Sequence, residues 1–168
     1  VKSSDKANNF DEVIKISVDN NFGESQISVN KNEVLISWGE KKKKNIDNIY
    51  YVKSNDNGNT FTDANTVSER IIGFNDRNNY TKSDDIIKNP VNVEVASYNN
   101  LTFVAWQNSF SKQNEDILLL LLNNQKQKND YERLSNLSNN PSVSECPSIT
   151  ISNNNIYVIW EDYISGNH

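Results

Sequence analysis

The chain has 168 residues, with 17 Lys plus Arg against 22 Asp plus Glu, a formal net charge of −5 and a mean hydropathy of −0.74. A pI near 4.9 excludes the basic footprint of a nucleic-acid-binding domain, and a lone cysteine, Cys146, excludes an intrachain disulfide. The longest apolar run, Ile117 to Leu122, is too short to span a bilayer, so no transmembrane segment is expected.

Only 35% of the residues are hydrophobic, and the polar excess is carried by Asn, Ser and Lys. Asn is poor inside helices and strands but accepts tight-turn geometry, so the composition predicts many short strands joined by many turns. There is no Met and no charged-then-apolar leader, which reads as a processed chain or an excerpt of a longer protein.

The chain opens on Val1 to Phe10, which aligns without a gap on Val52 to Phe61. A period near fifty residues predicts a modular β architecture with one recurring supersecondary unit. After Phe10 the pattern predicts a short strand at Val13 to Ser17, then strands at Ile27 to Val29 and Val34 to Trp38. A lysine run, Lys41 to Lys44, reads as a solvated loop tip, and a fourth strand follows at Ile49 to Lys53.

The order then recurs. Beyond an insertion at 70–90, strands are expected at Val93 to Val95, Thr102 to Trp106, Ile117 to Leu122 and Arg133 to Ser138. A last set begins with Ile149 to Ile151 and Ile156 to Trp160. Three strands thus end in a tryptophan, Trp38, Trp106 and Trp160, the expected core of each unit. Residues two apart on these strands share a face, and both faces are apolar. A strand buried on both sides needs a sheet above and another below, as stacked propeller blades provide.

The predicted fold is therefore all-β, with four-stranded antiparallel blades of propeller type and about three units; a two-layer sandwich is the alternative. The divisions are 1–25 for the end of a first blade, 26–69 for a second, 70–90 for the inserted loop, 91–138 for a third and 139–168 for the start of a fourth.

Ser54-Asn55-Asp56-Asn57-Gly58-Asn59-Thr60-Phe61 resembles the Asp box, S-x-D-x-G-x-T-[FW], of sialidase-like propeller repeats in exported archaeal and bacterial proteins. Ser3, Asp5 and Phe10 match it with Ala7 and Asn9 in place of the Gly and Thr, and the third copy keeps little beyond Tyr131. The resemblance implies a hairpin-closing, structural role for Ser54, Asp56, Gly58, Thr60 and Phe61, away from any catalytic centre. The residues agree: Asp56 can accept backbone N–H groups of its own turn, Gly58 frees the backbone, and Phe61 can plug the hairpin.

Catalysis is not expected. The only histidine is His168, which argues against Ser-His-Asp or Cys-His nucleophiles. Sialidases, as the resemblance implies, hold their substrate with three convergent arginines. Here Arg70 and Arg77 lie in or beside the insertion and Arg133 on an outer strand. Glu161-Asp162 reads as a polar strand end, like Gly39-Glu40 and Gln107-Asn108, and Cys146 as a small packed residue. No cofactor or metal is expected, since Asp56, Asn57 and Asn59 lack the spacing of a calcium loop.

The sequons at Asn79, Asn100 and Asn136 suggest an exported, surface-located glycoprotein. The functional expectation is a non-catalytic scaffolding or recognition module for a glycan or protein. Its partners would be further blades or neighbouring copies joined through open strand edges. The alternative is a fragment of a sialidase-like glycoside hydrolase whose catalytic residues lie outside this chain.

Overall fold

The computed structural model describes residues 1–16, 22–42, 45–67, 90–111, 114–123 and 131–163. Three hairpins set the pattern. β1 (Phe22–Asn30) turns through Lys31 and Asn32 into β2 (Glu33–Lys42), and β3 (Asn45–Ser54) and the two-residue β4 (Asn65–Thr66) complete a sheet in the order β1-β2-β3-β4. β5 (Val91–Tyr98), β6 (Leu101–Ser111), β7 (Asn114–Asn123) and β8 (Tyr131–Asn136) repeat this order in a second sheet. β9 (Ser144–Ser152) and β10 (Asn155–Asp162) form a two-stranded hairpin. All neighbouring strands in the three sheets are antiparallel.

The turn chemistry is that read from the composition. The hairpin turns are two residues long, and Lys31, Asn99, Asn153 and Asn154 have φ of 56°, 54°, 48° and 65°. Asn tolerates this left-handed region because its short side chain can bond locally, and such turns match the right-handed twist of the strands they join.

The sheets stack face to face. Leu35, Ile49, Tyr51 and Val67 of the first sheet region pack with Val93, Val95, Val104, Trp106 and Leu120 of the second. On the opposite face Ala96, Phe103, Leu119 and Leu121 meet Ile149, Ile151 and Val158 of the β9–β10 hairpin. The middle sheet is covered on both sides, which is why β7 reads as an unbroken apolar run instead of an alternating one. Each such side chain contributes roughly 1.5–3 kcal/mol by leaving water.

The outer faces remain apolar and open. Ile27 and Val29 are more than half exposed on one flank, as are Tyr157 and Ile159 on the other. This separates the three tryptophans: Trp38 and Trp106 are buried and Trp160 only half so. Trp38 also stacks on Tyr50, with ring centroids 5.9 Å apart.

Two expectations change. Val13 to Ile16 form no strand, because no third strand lies beside them as β3 lies beside β4; residue 17 lies outside the described residues. Of the about three units expected of an incomplete propeller, the described residues show two four-stranded sheets and one two-stranded hairpin, with no third complete sheet. The insertion, apart from Pro90, also lies outside them, as do Lys43 and Lys44; Lys41 and Lys42 extend β2.

Candidate functional site at the bulged starts of the inner strands

The two Asp-containing turns have one hydrogen-bond design. In the second, Ser54 Oγ donates to Asp56 Oδ1 at 2.7 Å and accepts from Gly58 N at 2.8 Å. Asp56 Oδ1 accepts from Asn59 N and Thr60 N at 3.0 and 2.9 Å, and Thr60 Oγ1 donates to Asp56 Oδ2 at 2.6 Å. In the first, Ser3 and Asp5 do the same, with Ala7 N on Ser3 Oγ at 2.9 Å and Asn9 N on Asp5 Oδ1 at 2.9 Å. Asn9 Nδ2 takes the place of the threonine hydroxyl at 2.7 Å.

These donors hold both carboxyls below the usual range: Asp56 through Thr60, Asp5 through Asn9 down to about 2. Gly58 has φ +80°, with Val34 and the Phe61 ring close by. The Asp5 and Asp56 carboxylates are thus bonded within their own turns.

The chemistry gathers elsewhere. On each inner strand two residues oppose a single partner: 23 and 24 face Gly39, 92 and 93 face Trp106, and 146 and 147 face Trp160. A bulge of this kind bends the strand and re-aims a side chain. Asn92 and Cys146 take φ of 50° and 54° there; for cysteine this conformation costs roughly 1–2 kcal/mol, the kind of local strain found at working sites. Glu24, Asn92 and Cys146 each stand six residues before the end of their strand, at Asn30, Tyr98 and Ser152.

The bulges of β5 and β9 meet. Asn92 Nδ2 lies 3.6 Å from Cys146 Sγ and donates to Gln107 Oε1 at 2.8 Å; Cys146 N also donates to Gln107 Oε1, at 3.4 Å. Gln107 Nε2 donates to Glu115. Burial pushes the Glu94 carboxyl up, and the charge of Glu24 adds to it. Desolvation and then the charges of Glu161, Glu145 and Glu24 push the Cys146 thiol up, which disfavours its thiolate.

Glu145 and Glu161 are direct cross-strand partners, an arrangement of like charges that destabilises a sheet. Tyr163 Oη donates to Glu161 at 3.3 Å. The Glu145 carboxylate, by hydrogen bond and charge, holds its phenol above the usual value.

Strand alternation explains why the residues after each tryptophan divide into two jobs. The second residue is structural: Glu40 accepts from Tyr50 Oη at 2.7 Å, Asn108 from Trp106 Nε1 at 3.2 Å and Asp162 from Trp160 Nε1 at 3.5 Å. The first residue, Gln107 or Glu161, points the other way and joins the bulge. Glu161-Asp162 is therefore more than a polar strand end, and Cys146 is exposed, not packed.

The remaining candidates scatter. Phe61 is half-buried, whereas Phe10 is 60% exposed and plugs nothing. Tyr131 opens β8, opposite Leu122. Asn100 is exposed at the β5–β6 turn, while Asn136 Nδ2 donates to buried Asp116 at 2.8 Å, beside Ser138 Oγ at 3.0 Å. Asn79, Arg70, Arg77 and His168 lie outside the described residues, and Arg133 is exposed on β8. Sequence reasoning missed Glu24, Asn92, Glu94, Gln107 and Glu145. Counting each inner strand back from its hairpin would have aligned the three bulge residues.

No protein-family profile matches the chain, and no curated protein matches it. Among solved structures it is similar to the crystal structure of α-L-arabinofuranosidase from Lactobacillus brevis, with a TM-score of 0.54 and 15% identity. That match covers 92% of this chain and 50% of the enzyme, so the chain spans half the length of that protein. The likeness is one of fold: antiparallel four-stranded sheets arranged as in a glycoside hydrolase. It overturns the expectation that the chain is no enzyme, which rested on missing histidine and arginine chemistry. Among the described residues, no helix is long and apolar enough to cross a membrane.

Proposed function

We propose that the chain is a propeller-type part of an exported glycoside hydrolase built on Asp-box repeats, with its sugar-facing end at the bulged starts of β1, β5 and β9. The observation that carries this is the half-buried Glu94 carboxyl, which lines a cavity of about 400 Å³ together with residues of β1 and β9, on a fold like that of a glycoside hydrolase. Glycosidic cleavage uses one carboxyl that holds its proton and one that stays ionised, set apart by their surroundings. Glu94, whose carboxyl is pushed up by desolvation and then by the charge of Glu24, is suited to be the acid.

Further blades, from the same protein or from neighbouring copies, would cover the open faces at Ile27 and Val29 and at Tyr157 and Ile159, and supply the remaining substrate contacts. An exported location is supported by exposed Asn100, and an intact mass above that of the bare sequence would confirm a glycan there.

The test is turnover of a panel of aryl glycosides, an aryl α-L-arabinofuranoside among them, by the full-length protein. Glu94→Gln is expected to lower kcat by about 10²–10⁴. The wild-type rate should fall as pH rises through the raised pKa of Glu94, because the acid is then lost. Absence of turnover on every member of the panel removes the reading.

A further inference from the structure

We propose that Asn57-Gly58 is a site of spontaneous, irreversible modification, in which Asn57 loses its side-chain amide. The second Asp turn holds the reaction in check while closed, and the product keeps that turn from closing again. Nothing in this depends on the hydrolase reading. Of the five glycines, Gly23, Gly39, Gly58, Gly73 and Gly166, only Gly58 follows an asparagine. An asparagine before glycine is the setting in which its amide is most easily lost, because the attacking residue has no side chain to obstruct the approach.

In the reaction the Gly58 nitrogen gives up its proton and bonds to the side-chain carbonyl carbon of Asn57, the side-chain nitrogen leaves as ammonia, and a five-membered imide forms. Water then opens either carbonyl of the imide, leaving an aspartate or, more often, an isoaspartate whose main chain runs through the former side chain. The balance is one water in and one ammonia out, with no oxidant, reductant or cofactor.

The closed turn works against the first step. Gly58 N donates to Ser54 Oγ at 2.8 Å, so it has to leave that acceptor before it can attack. Asn57 and Gly58 take φ of 61° and 80°, and the chain is tied on both sides of them. Asn57 N donates to Asn32 O at 2.8 Å, and Asn59 N and Thr60 N donate to Asp56 Oδ1 at 3.0 and 2.9 Å. Ring closure swings the Gly58 nitrogen about the Asn57 Cα–C bond onto the side chain, which requires these ties to open. Asn57 is exposed, so water reaches it, and the hydrogen bonds rather than burial are what protect it.

The product does not fit the turn that the reactant made. An isoaspartate adds one methylene to the main chain between Asn57 N and Gly58 N, and the two donors no longer meet Asn32 O and Ser54 Oγ together. The first turn is an internal control. Lys6 and Ala7 hold the equivalent places with φ of 61° and 66°, and Ala7 N donates to Ser3 Oγ at 2.9 Å, but Lys6 has no amide to lose. An opening of the second turn is therefore recorded permanently in the chain, at the point where that turn is fastened to the β1–β2 hairpin.

The experiment incubates the full-length protein at mildly alkaline pH, folded or in guanidinium, and reads residue 57 by peptide mapping with a fragmentation method that separates aspartate from isoaspartate. The folded protein is expected to react roughly tenfold or more slowly than the denatured one, because reaction proceeds only from the locally open turn. Ser54→Ala, with its fold checked by circular dichroism, should speed the folded-state reaction by roughly three- to tenfold, the weight of one hydrogen bond. Asn32→Ala, which removes the bond to Asn55 O from outside the turn, should speed it in the same direction without touching Ser54. After return to buffer, chains carrying isoaspartate should unfold at a lower midpoint than Asn57→Gln chains treated alike. Equal rates in the folded and denatured protein overturn the inference, as does an unmodified Asn57 in both. So do an unchanged rate in both variants and isoaspartate chains that recover the full midpoint.

Discussion

The interior of the stack and its flanks are built from the same repeated elements, yet the same residue does different work in each. Trp106, in the middle sheet, is fully buried between two neighbours, and Trp160, at the flank, is half-buried with the same indole-to-carboxyl-or-amide bond two residues on. The Asp-containing turns show it more sharply. The turn at Ser54 is bolted to its sheet: Asn57 N donates to Asn32 O at 2.8 Å, Asn32 Nδ2 to Asn55 O at 2.6 Å, and Lys53 pairs with Glu33 on β2. In the turn at Ser3 the equivalent Lys2 reaches Asp11 of its own turn and Asn59 of the other. A cleft of about 590 Å³ separates the segment from Ile27, Val29 and Ile36 of the first sheet. Repetition of sequence gives repetition of local geometry, not of burial.

The largest expected contrast is at the tryptophans. Trp106→Ala should cost about 3–5 kcal/mol in denaturant unfolding, whereas Trp160→Ala should cost about 1–2 kcal/mol, in line with its partial burial. Equal losses would mean that the flank of the natural protein is as well covered as the interior. Next come the plugs. Phe61→Ala is expected to lose about 1–2 kcal/mol, and Phe10→Ala to stay within about 0.5 kcal/mol of wild type, read from the same transitions.

A reciprocal exchange tests the turns themselves. Gly58→Ala places a side chain at φ +80° in a turn the sheet depends on, and should destabilise by roughly 1 kcal/mol. Ala7→Gly relieves the same geometry at φ 66° in the unsupported copy, and should leave the global midpoint almost unmoved. The smallest effect is the pH response. Both Asp5 and Asp56 have folded pKa values below the unfolded 3.8, so their contribution is present above about pH 4 and is lost as pH falls toward 2. Asp56→Asn should flatten the acid limb seen by Trp38 fluorescence, and Asp5→Asn should not.

Much of the fold was legible along the chain because its signals are local. Alternation in Val34 to Trp38, the six apolar residues of β7 and the Asn turns each specify a strand or a reversal within a few residues. The site was not legible for the opposite reason. A bulge exists only as a mismatch of register between two strands, so nothing in Asn92 or Cys146 alone announces it. The meeting of Asn92 with Cys146 needs two hairpins to be stacked. The glutamates near the bulges are spread over more than a hundred residues, from Glu24 to Glu161, so no local motif groups them.

By itself the sequence determined the order of strands, the two-residue turns and the closed hydrogen-bond ring of each Asp turn, because every one of these is satisfied within about ten residues of chain. Tertiary structure alone decided which tryptophan is sealed, which turn is anchored and which glutamates share a field. Burial and charge interaction depend on distances across sheets, and those are set by packing many residues away.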